Sequence, residues 1–272
     1  MKIIEWNINH RLGYSRNNMP DWVKSVIQSK DADIIVLTET SFMVPNWYEQ
    51  YIQMFDRRTY YVFCSNNPDT VANQVTIAIR KELFTVEYVK SFLSEDHTYP
   101  DHLEVRCIHK LTNQEITIIG MRIHSINISD FEKKEEFKKI LQSVMSNENV
   151  ILAGDFNNYR RGLINDVWCF EKVSQLADCY DYSMYTPRGG SINDDIDGDY
   201  SFPEDHFFTR GNAIKITNLN YDRSFVNNDS NVYKWGTNFQ KWKGKVNDKN
   251  IYDKIPDPFP DHAILEADFT IT

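Results

Sequence analysis

Val150-Ile-Leu-Ala-Gly-Asp-Phe-Asn-Asn158 is the stretch on which the reading of this chain turns. Its four leading apolar residues, Val150 to Ala153, are too short a run for a helix and suit a strand buried on both faces. They lead into Gly154-Asp155-Phe156-Asn157-Asn158, a polar turn placed where that strand leaves the core. Binding and catalytic side chains gather on connections of this kind, positioned by the rigid strands behind them. Just upstream, Ser129 and Glu132 have the spacing of a capping box, and Phe137, Ile140, Leu141 and Val144 recur at helical period. The pattern predicts a helix over Asp130 to Ser146 that feeds the strand.

Working outward, Lys2 to Ile8 reads as a strand, Trp22 to Ser29 as a short helix, and Asp33 to Thr38 as a second buried strand, a β-α-β opening. Val75 to Arg80, His102 to His109 and Glu115 to His124 follow as strands, the last two joined by a hairpin turn at Leu111-Thr-Asn-Gln114. His206 to Thr209, Ala213 to Leu219 and Ala263 to Ile271 supply more, with a long polar stretch from Tyr221 to Pro260. No repeat or Pro/Gly/Ser linker divides the chain, so residues 1–272 read as a single domain. Mixed strands with few long helices predict an α/β sandwich.

Composition narrows the function. Among 272 residues, 30 Lys and Arg stand against 39 Asp and Glu, a formal charge of −9. Such a chain is not built to coat itself on a polyanion, and a phosphate-bearing substrate would have to be met locally. No run approaches the ~18 apolar residues that span a bilayer. No basic segment followed by an apolar one opens the sequence, so a soluble, cytoplasmic protein is expected. Cys64, Cys107, Cys169 and Cys179 form no CxxC pair and are expected to be buried free thiols in a reducing compartment.

Polar residues punctuate the strands in one recurring way: Asn7 after Ile3-Ile4, Glu39 after Ile34 to Leu37, His124 after Ile118-Ile119, Asp155 and Asn157 after Ile151-Leu152, and Asp261-His262 before Ala263-Ile-Leu265. A single carboxylate at a strand end is ordinarily a solvated turn or a helix cap. Together, these residues have the chemistry of a Mg²⁺ site, which takes one or two carboxylates and leaves room for water and a substrate phosphate. Hydrolysis of a phosphoester also needs an oriented water and a group to manage its proton. His262 suits that task, with Asp205 the candidate partner that would fix its tautomer.

Trp6-Asn7-Ile8-Asn9, Thr38-Glu39-Thr40, Arg122-Ile123-His124-Ser125, Gly154-Asp155-Phe156-Asn157, Asp205-His206-Phe207-Phe208 and Pro260-Asp261-His262 occur in the order found in the endonuclease/exonuclease/phosphatase superfamily, the DNase I-like fold. The resemblance spans residues 7 to 262. It implies a four-layered α/β sandwich, two facing mixed β-sheets with helices outside, and a Mg²⁺- or Mn²⁺-dependent phosphoester site at one rim. By that resemblance Glu39 is the principal metal ligand, with Asn7 and Asp261 near the metal or its waters. Asp155 orients or deprotonates the attacking water, Asn157 holds that water or a phosphate oxygen, and His124 faces the phosphate. His262, oriented by Asp205, is general base or transition-state stabiliser. The pattern departs from the family at Pro203-Glu204, where relatives have Arg and an aliphatic residue before the Asp205-type aspartate, and at Pro260, where Ser is common. The reading is a metal-dependent phosphodiesterase, a nuclease acting on DNA or RNA. Its alternatives are a phosphatase or phospholipase-type hydrolase of inositol phosphates or sphingomyelin, and a non-catalytic binding protein on the same fold. The sequence does not decide oligomeric state.

Two further segments carry signals. Between Asn231 and Ile255, Lys234, Lys241, Lys243, Lys245, Lys249 and Lys254 stand against Asp248 and Asp253, interleaved with Tyr233, Trp235, Phe239, Trp242 and Tyr252. Such a loop could stack bases while neutralising phosphates, with Trp242 and Lys243 as candidate substrate-binding residues. Asn193-Asp-Asp195-Ile-Asp197-Gly198, with Glu204 beyond it, imitates an EF-hand loop, but Pro187, Gly189, Gly190 and Pro203 are hostile to flanking helices, and a solvated acidic loop is expected. His10, His97, His102 and His109 read as surface or strand histidines, and Trp22 and Phe170 as core or edge packing.

Overall fold

The computed structural model describes residues 1–8, 21–40, 53–65, 74–91, 101–125, 128–158, 167–191, 203–227 and 262–272. Within them lie the strands β1 (Lys2–Asn7), β2 (Ile34–Thr40), β3 (Tyr60–Cys64), β4 (Gln74–Arg80), β5 (Phe84–Ser91), β6 (Asp101–His109), β7 (Gln114–Arg122), β8 (Val150–Asp155), β9 (Ser183–Tyr185), β10 (Asp205–Arg210), β11 (Ile214–Asp222) and β12 (Ile264–Ile271). The helices are α1 (Asp21–Lys30), α2 (Asp130–Ser143) and α3 (Phe170–Asp178), with a 3₁₀ turn at Ser224–Asn227.

One sheet runs β11-β12-β1-β2-β4-β3 and the other β5-β6-β7-β8-β10-β9. Both are mixed. β1 and β2 are parallel across α1, as are β7 and β8 across α2, and the remaining pairs are antiparallel. One apolar cluster fills the space between the sheets, including Ile3, Val36 and Ile77 from the first and Ile116, Ile118, Ile151 and Phe207 from the second. A second lies between the outer face of the second sheet and its helices, with Phe137 from α2 packed edge-on to Phe156 at 5.0 Å and beside Phe208 at 5.5 Å. Val23 and Ile27 bring α1 onto the first sheet. This is the α/β sandwich that the strand pattern predicts.

The capping box forms, with the Glu132 backbone N–H donating to Ser129 Oγ and the Ser129 N–H to the Glu132 carboxylate, but α2 ends at Ser143 rather than Ser146. β7 stops at Arg122, two residues short of His124, and Tyr221 and Asp222 belong to β11 rather than to the polar stretch. β3, β5, β9 and α3 are not marked in the sequence. β5 carries an exposed, charged face and β9 is three residues long, so neither shows a clear alternation. The four cysteines are free, but only Cys107 and Cys169 are buried; Cys64 is half-buried and Cys179, the C-cap residue of α3, is exposed. His102 and His109 lie on β6, as strand histidines. Asn193 to Gly198 and the segment from Asn231 to Ile255 fall outside the described residues, but Glu204, expected in a solvated loop, is buried where β10 begins.

Two glycines set close approaches. A Cβ on Gly120 of β7 would lie 2.6 Å from Val75 Cγ1 and 2.8 Å from Val36 Cγ1, so the two sheets approach closely here. A Cβ on Gly154 would lie 1.8 Å from the Met121 carbonyl oxygen, its partner across the β7–β8 pair, so only glycine allows that pair to continue to Asp155.

Candidate active site

Strand periodicity places the polar residues. On β8, Ile151 and Ala153 face the inter-sheet core, and Asp155, two further along, shares their face. The same count puts Asp205 with Phe207 on β10, Arg122 with Ile116 and Ile118 on β7, and Glu5 and Asn7 with Ile3 on β1. At this end of the sandwich the filling between the sheets changes from apolar to polar, and Glu5, Asn7, Glu39, Arg122, Asp155, Asn157, Glu204, Asp205 and His262 are all buried. Glu39 is the exception to the alternation. The β2–β4 register shifts between Leu37 and Thr40, and Glu39 sits there at φ 51°. A non-glycine residue in that region costs ~1–3 kcal/mol, a strain retained where the side chain's direction matters.

Asp155 is the hub. Its Oδ2 accepts from Asn7 Nδ2 at 2.9 Å and Asn157 Nδ2 at 3.0 Å, and its Oδ1 accepts from the Asn157 backbone N–H at 2.8 Å. Asn157, at φ 46°, also donates Nδ2 to the Ile123 carbonyl at 2.7 Å. Both of its amide hydrogens are thus engaged, one on Asp155 and the other on the Ile123 carbonyl, so the amide is locked in place beside the carboxylate. Arg122 donates Nε to Glu39 Oε1 at 2.9 Å, with Nη2 2.8 Å from the same oxygen and Nε 3.6 Å from Asp155 Oδ2.

Across the antiparallel β8–β10 pair, Asp205 stands opposite Asp155, and its Oδ2 is 2.8 Å from His262 Nδ1. A carboxylate at Nδ1 keeps the proton on that nitrogen, so proton exchange at this ring falls to Nε2. His262 is itself held by Trp6, whose Nε1 donates to the His262 carbonyl at 2.9 Å. Ser191 Oγ accepts from the Glu204 and Asp205 backbone N–H groups, and the Tyr221 hydroxyl donates to the Asp205 carbonyl at 2.6 Å.

His124 is positioned separately. Its Nδ1 lies 2.5 Å from Glu136 Oε1 on α2, its backbone N–H donates to Glu136 Oε2, and its Nε2 is 3.8 Å from Asp101 Oδ2. Burial opposes a charge on this ring, but the hydrogen bond to Glu136 and the Asp101 carboxylate outweigh it and hold the imidazole above its ordinary range. Its contacts run to these two carboxylates, and Asp101 is linked to the Asp155 hub through the strand register, opposite Arg122, which is itself opposite Asp155.

The remaining electrostatics are those of crowded carboxylates. Burial, against the pull of His262 and with the push of Asp205, lifts Asp155 to about 6. Burial, then Asp205 and Asp155, pushes Glu5 well above the usual carboxylate range. Burial, then Asp155, does the same to Glu204. Glu5 Oε2, Asp205 Oδ1 and both Glu204 carboxyl oxygens are buried with no hydrogen-bond partner among the described residues. Buried oxygens without donors, in an all-oxygen donor set of excess negative charge, fit a hard divalent cation. Of the expected ligands, Glu39 bonds Arg122 and Asn7 bonds Asp155, and Asp261 lies outside the described residues; among those residues no three His, Cys, Asp or Glu side chains cluster closely enough to hold a metal by themselves. Trp242 and Lys243 also fall outside.

The structure therefore brings Asn7, Glu39, Asp155 and Asn157 into one network, sets the Asp205–His262 pair opposite it, and keeps His124 beside it. Sequence reasoning missed Glu5, Glu204, Glu136 and the part played by Arg122. Glu5 was detectable as the residue two before Asn7 on the same strand face; Glu204 carries no signal, because its burial comes from the surrounding fold.

The sequence matches the family described as Endonuclease/Exonuclease/phosphatase family over residues 4–239, and the chain belongs to it. Phosphoester hydrolases are the class that this family and this site define. No curated protein matches the sequence. Among solved structures, the chain is similar to the human Nocturnin catalytic domain with bound sulfate (TM-score 0.68, 11% identity, 100% of this chain and 94% of that one). It is also similar to D. rerio TDP2 complexed with single strand DNA product (TM-score 0.67, 14% identity, 99% and 98%). A third is a mannosyl-6-phosphatase of Bacteroides thetaiotaomicron (TM-score 0.63, 12% identity, 100% of each). Among the described residues no helix is long and apolar enough to cross a membrane.

Proposed function

We propose that this chain is a Mg²⁺- or Mn²⁺-dependent phosphodiesterase, a nuclease that cleaves DNA or RNA by in-line attack of water. The supporting observation is a fixed Asp155 paired in register with Asp205 on the neighbouring strand, whose carboxylate bonds the buried His262, beside Glu39 and Asn7. Glu39, Asn7 and Asp261 would hold the cation, whose chemistry is to neutralise phosphate oxygens and acidify water. Asp155, its carboxylate directed by Asn7, Asn157 and Arg122, orients the attacking water and takes up its proton. His262 exchanges a proton at Nε2 while Asp205 stabilises the imidazolium. His124, whose protonated form Glu136 and Asp101 favour, meets the phosphate. The likeness to TDP2, solved with a single strand DNA product, supports the choice of nucleic acid, as does the Lys/aromatic segment around Trp242 and Lys243.

The test is a panel of single-stranded and duplex DNA, RNA, inositol phosphates, sphingomyelin and bis-(p-nitrophenyl) phosphate with Mg²⁺ or Mn²⁺. Nucleic acid should be cut, EDTA should abolish cleavage, and Glu39→Ala and His262→Ala should each lower kcat by roughly 10²- to 10⁴-fold in folded protein. No turnover of any phosphoester with either metal would overturn the proposal. A net charge of −9 and the likeness to a mannosyl-6-phosphatase favour a second reading, a small phosphoester substrate. Turnover confined to the non-polymeric members of the panel would select it.

A further inference from the structure

We infer that Arg122 is the resident counter-ion of this site: its guanidinium holds Glu39 and Asp155 together before a divalent cation binds, and the cation must compete with it for Glu39. The inference rests on the metal-dependent reading above and concerns a residue to which that reading gives only a supporting contact. Arg122 is among the largest fully buried side chains, 2% exposed, and it crosses from β7 of one sheet to β2 of the other. Its Nε and Nη2 both point at Glu39 Oε1, at 2.9 and 2.8 Å, its Nε is 3.6 Å from Asp155 Oδ2, and Nη2 also donates to Ser125 Oγ at 3.1 Å.

Two buried carboxylates from facing sheets cannot stay ionised side by side without a cation between them, and removing one partner of such an arrangement leaves uncompensated charge. A guanidinium suits the post because it stays charged when buried and presents several donors in a rigid fork. The same oxygen that carries its two contacts belongs to the residue expected to be the principal metal ligand. Arg122 thus fixes the spacing of Glu39 and Asp155, acting as a positioning residue, and it also lowers the site's affinity for a divalent cation by occupying that oxygen and repelling the incoming charge.

The experiment compares wild type, Arg122→Met and Arg122→Lys by thermal melting with EDTA and with Mn²⁺, and by calorimetric Mn²⁺ titration. Without metal, Arg122→Met should melt lower than wild type. Mn²⁺ should then raise its Tm by more than it raises wild type's, and the titration midpoint should fall at least tenfold. Arg122→Lys, which keeps a charge but not the fork, should show the same two changes at smaller size, and it carries the comparison if Arg122→Met does not fold. A Mn²⁺ response of equal size and midpoint in wild type and both variants overturns the inference alone. No Mn²⁺ response in any of the three overturns the metal-dependent reading and the inference with it. Loss of structural packing alone would lower Tm without moving the Mn²⁺ midpoint, and that outcome also overturns it.

Discussion

Asp205→Asn separates chemistry from stability in this site. The His262–Asp205 contact is 2.8 Å long between side chains that are 4% and 0% exposed, so solvent screens it little. Leaving a buried charge without its counter-ion costs ~3–5 kcal/mol, and with Asp205 removed that cost arises only when the ring takes up a proton. If that stabilisation applies to the imidazolium that forms during hydrolysis, then at about 1.4 kcal/mol per decade kcat falls by roughly two to three and a half decades. Asparagine can still accept from Nδ1, so KM should change little. Stability should move the other way. The Asp205 charge is one of the causes that push Glu5, Asp155 and Glu204 upward, and removing it relieves three like-charged neighbours. Steady-state kinetics on the best substrate with Mn²⁺, together with thermal melts in EDTA, provides the assay. The expected pattern is a large loss of kcat with a Tm no lower than wild type. A kcat within threefold of wild type, or an activity loss accompanied by a marked fall in Tm, would refute the reasoning.

Other outcomes follow from the same geometry. Glu136→Gln removes the carboxylate that outweighs burial at His124, so the ring's titration midpoint, followed by NMR, should drop to or below the ordinary ~6.5; an unmoved midpoint would show that Glu136 does not control the ring. In EDTA, stability should decline as pH rises from 5 to 8. His124 has a raised folded value, so its contribution is fully present below the unfolded ~6.5 and is lost as pH rises from there through the higher folded value. Asp155, lifted to about 6 from an unfolded ~3.9, likewise binds its proton better when folded; of the ~3 kcal/mol lost as pH climbs between those two values, roughly half is lost above pH 5. Urea midpoints that rise over this range would contradict both. Gly154→Ala puts a methyl group 1.8 Å from the Met121 carbonyl oxygen; β7 and β8 must part, and loss of cooperative unfolding or at least ~3 kcal/mol by urea titration is expected, so a variant as stable as wild type would refute the close approach.

Much of this architecture was legible in the chain. β1, β2, β4, β6, β7, β8, β10, β11 and β12 announce themselves as short apolar runs, and α2 by its capping box, because burial on a defined face leaves a period in the sequence. Asn7, Asp155 and Asp205 could be placed at strand ends for the same reason. The pairing of Asp205 with His262, the weakest part of the motif match because Pro203-Glu204 departs from the family pattern, is a 2.8 Å contact in the fold. Glu39 was legible as a residue but its direction was not, since that depends on a register shift and a left-handed backbone at one position. Glu204 was misread as a solvated loop residue, because nothing local distinguishes an acidic turn in water from one covered by Lys133, Ser191 and the end of β8. Edge strands such as β5 escape notice because half their residues meet solvent.

Gly120 acts as a fulcrum. The sheets touch there through Val36 and Val75, and two residues further along the same strand Arg122 reaches over to Glu39. A change in the bulk of those valines would tilt one sheet on the other and alter the gap between Glu39 and Asp155 without touching a polar atom. The spacing of these polar groups is therefore set in part by the bulk of hydrocarbon side chains beneath them, which carry no polar atom of their own.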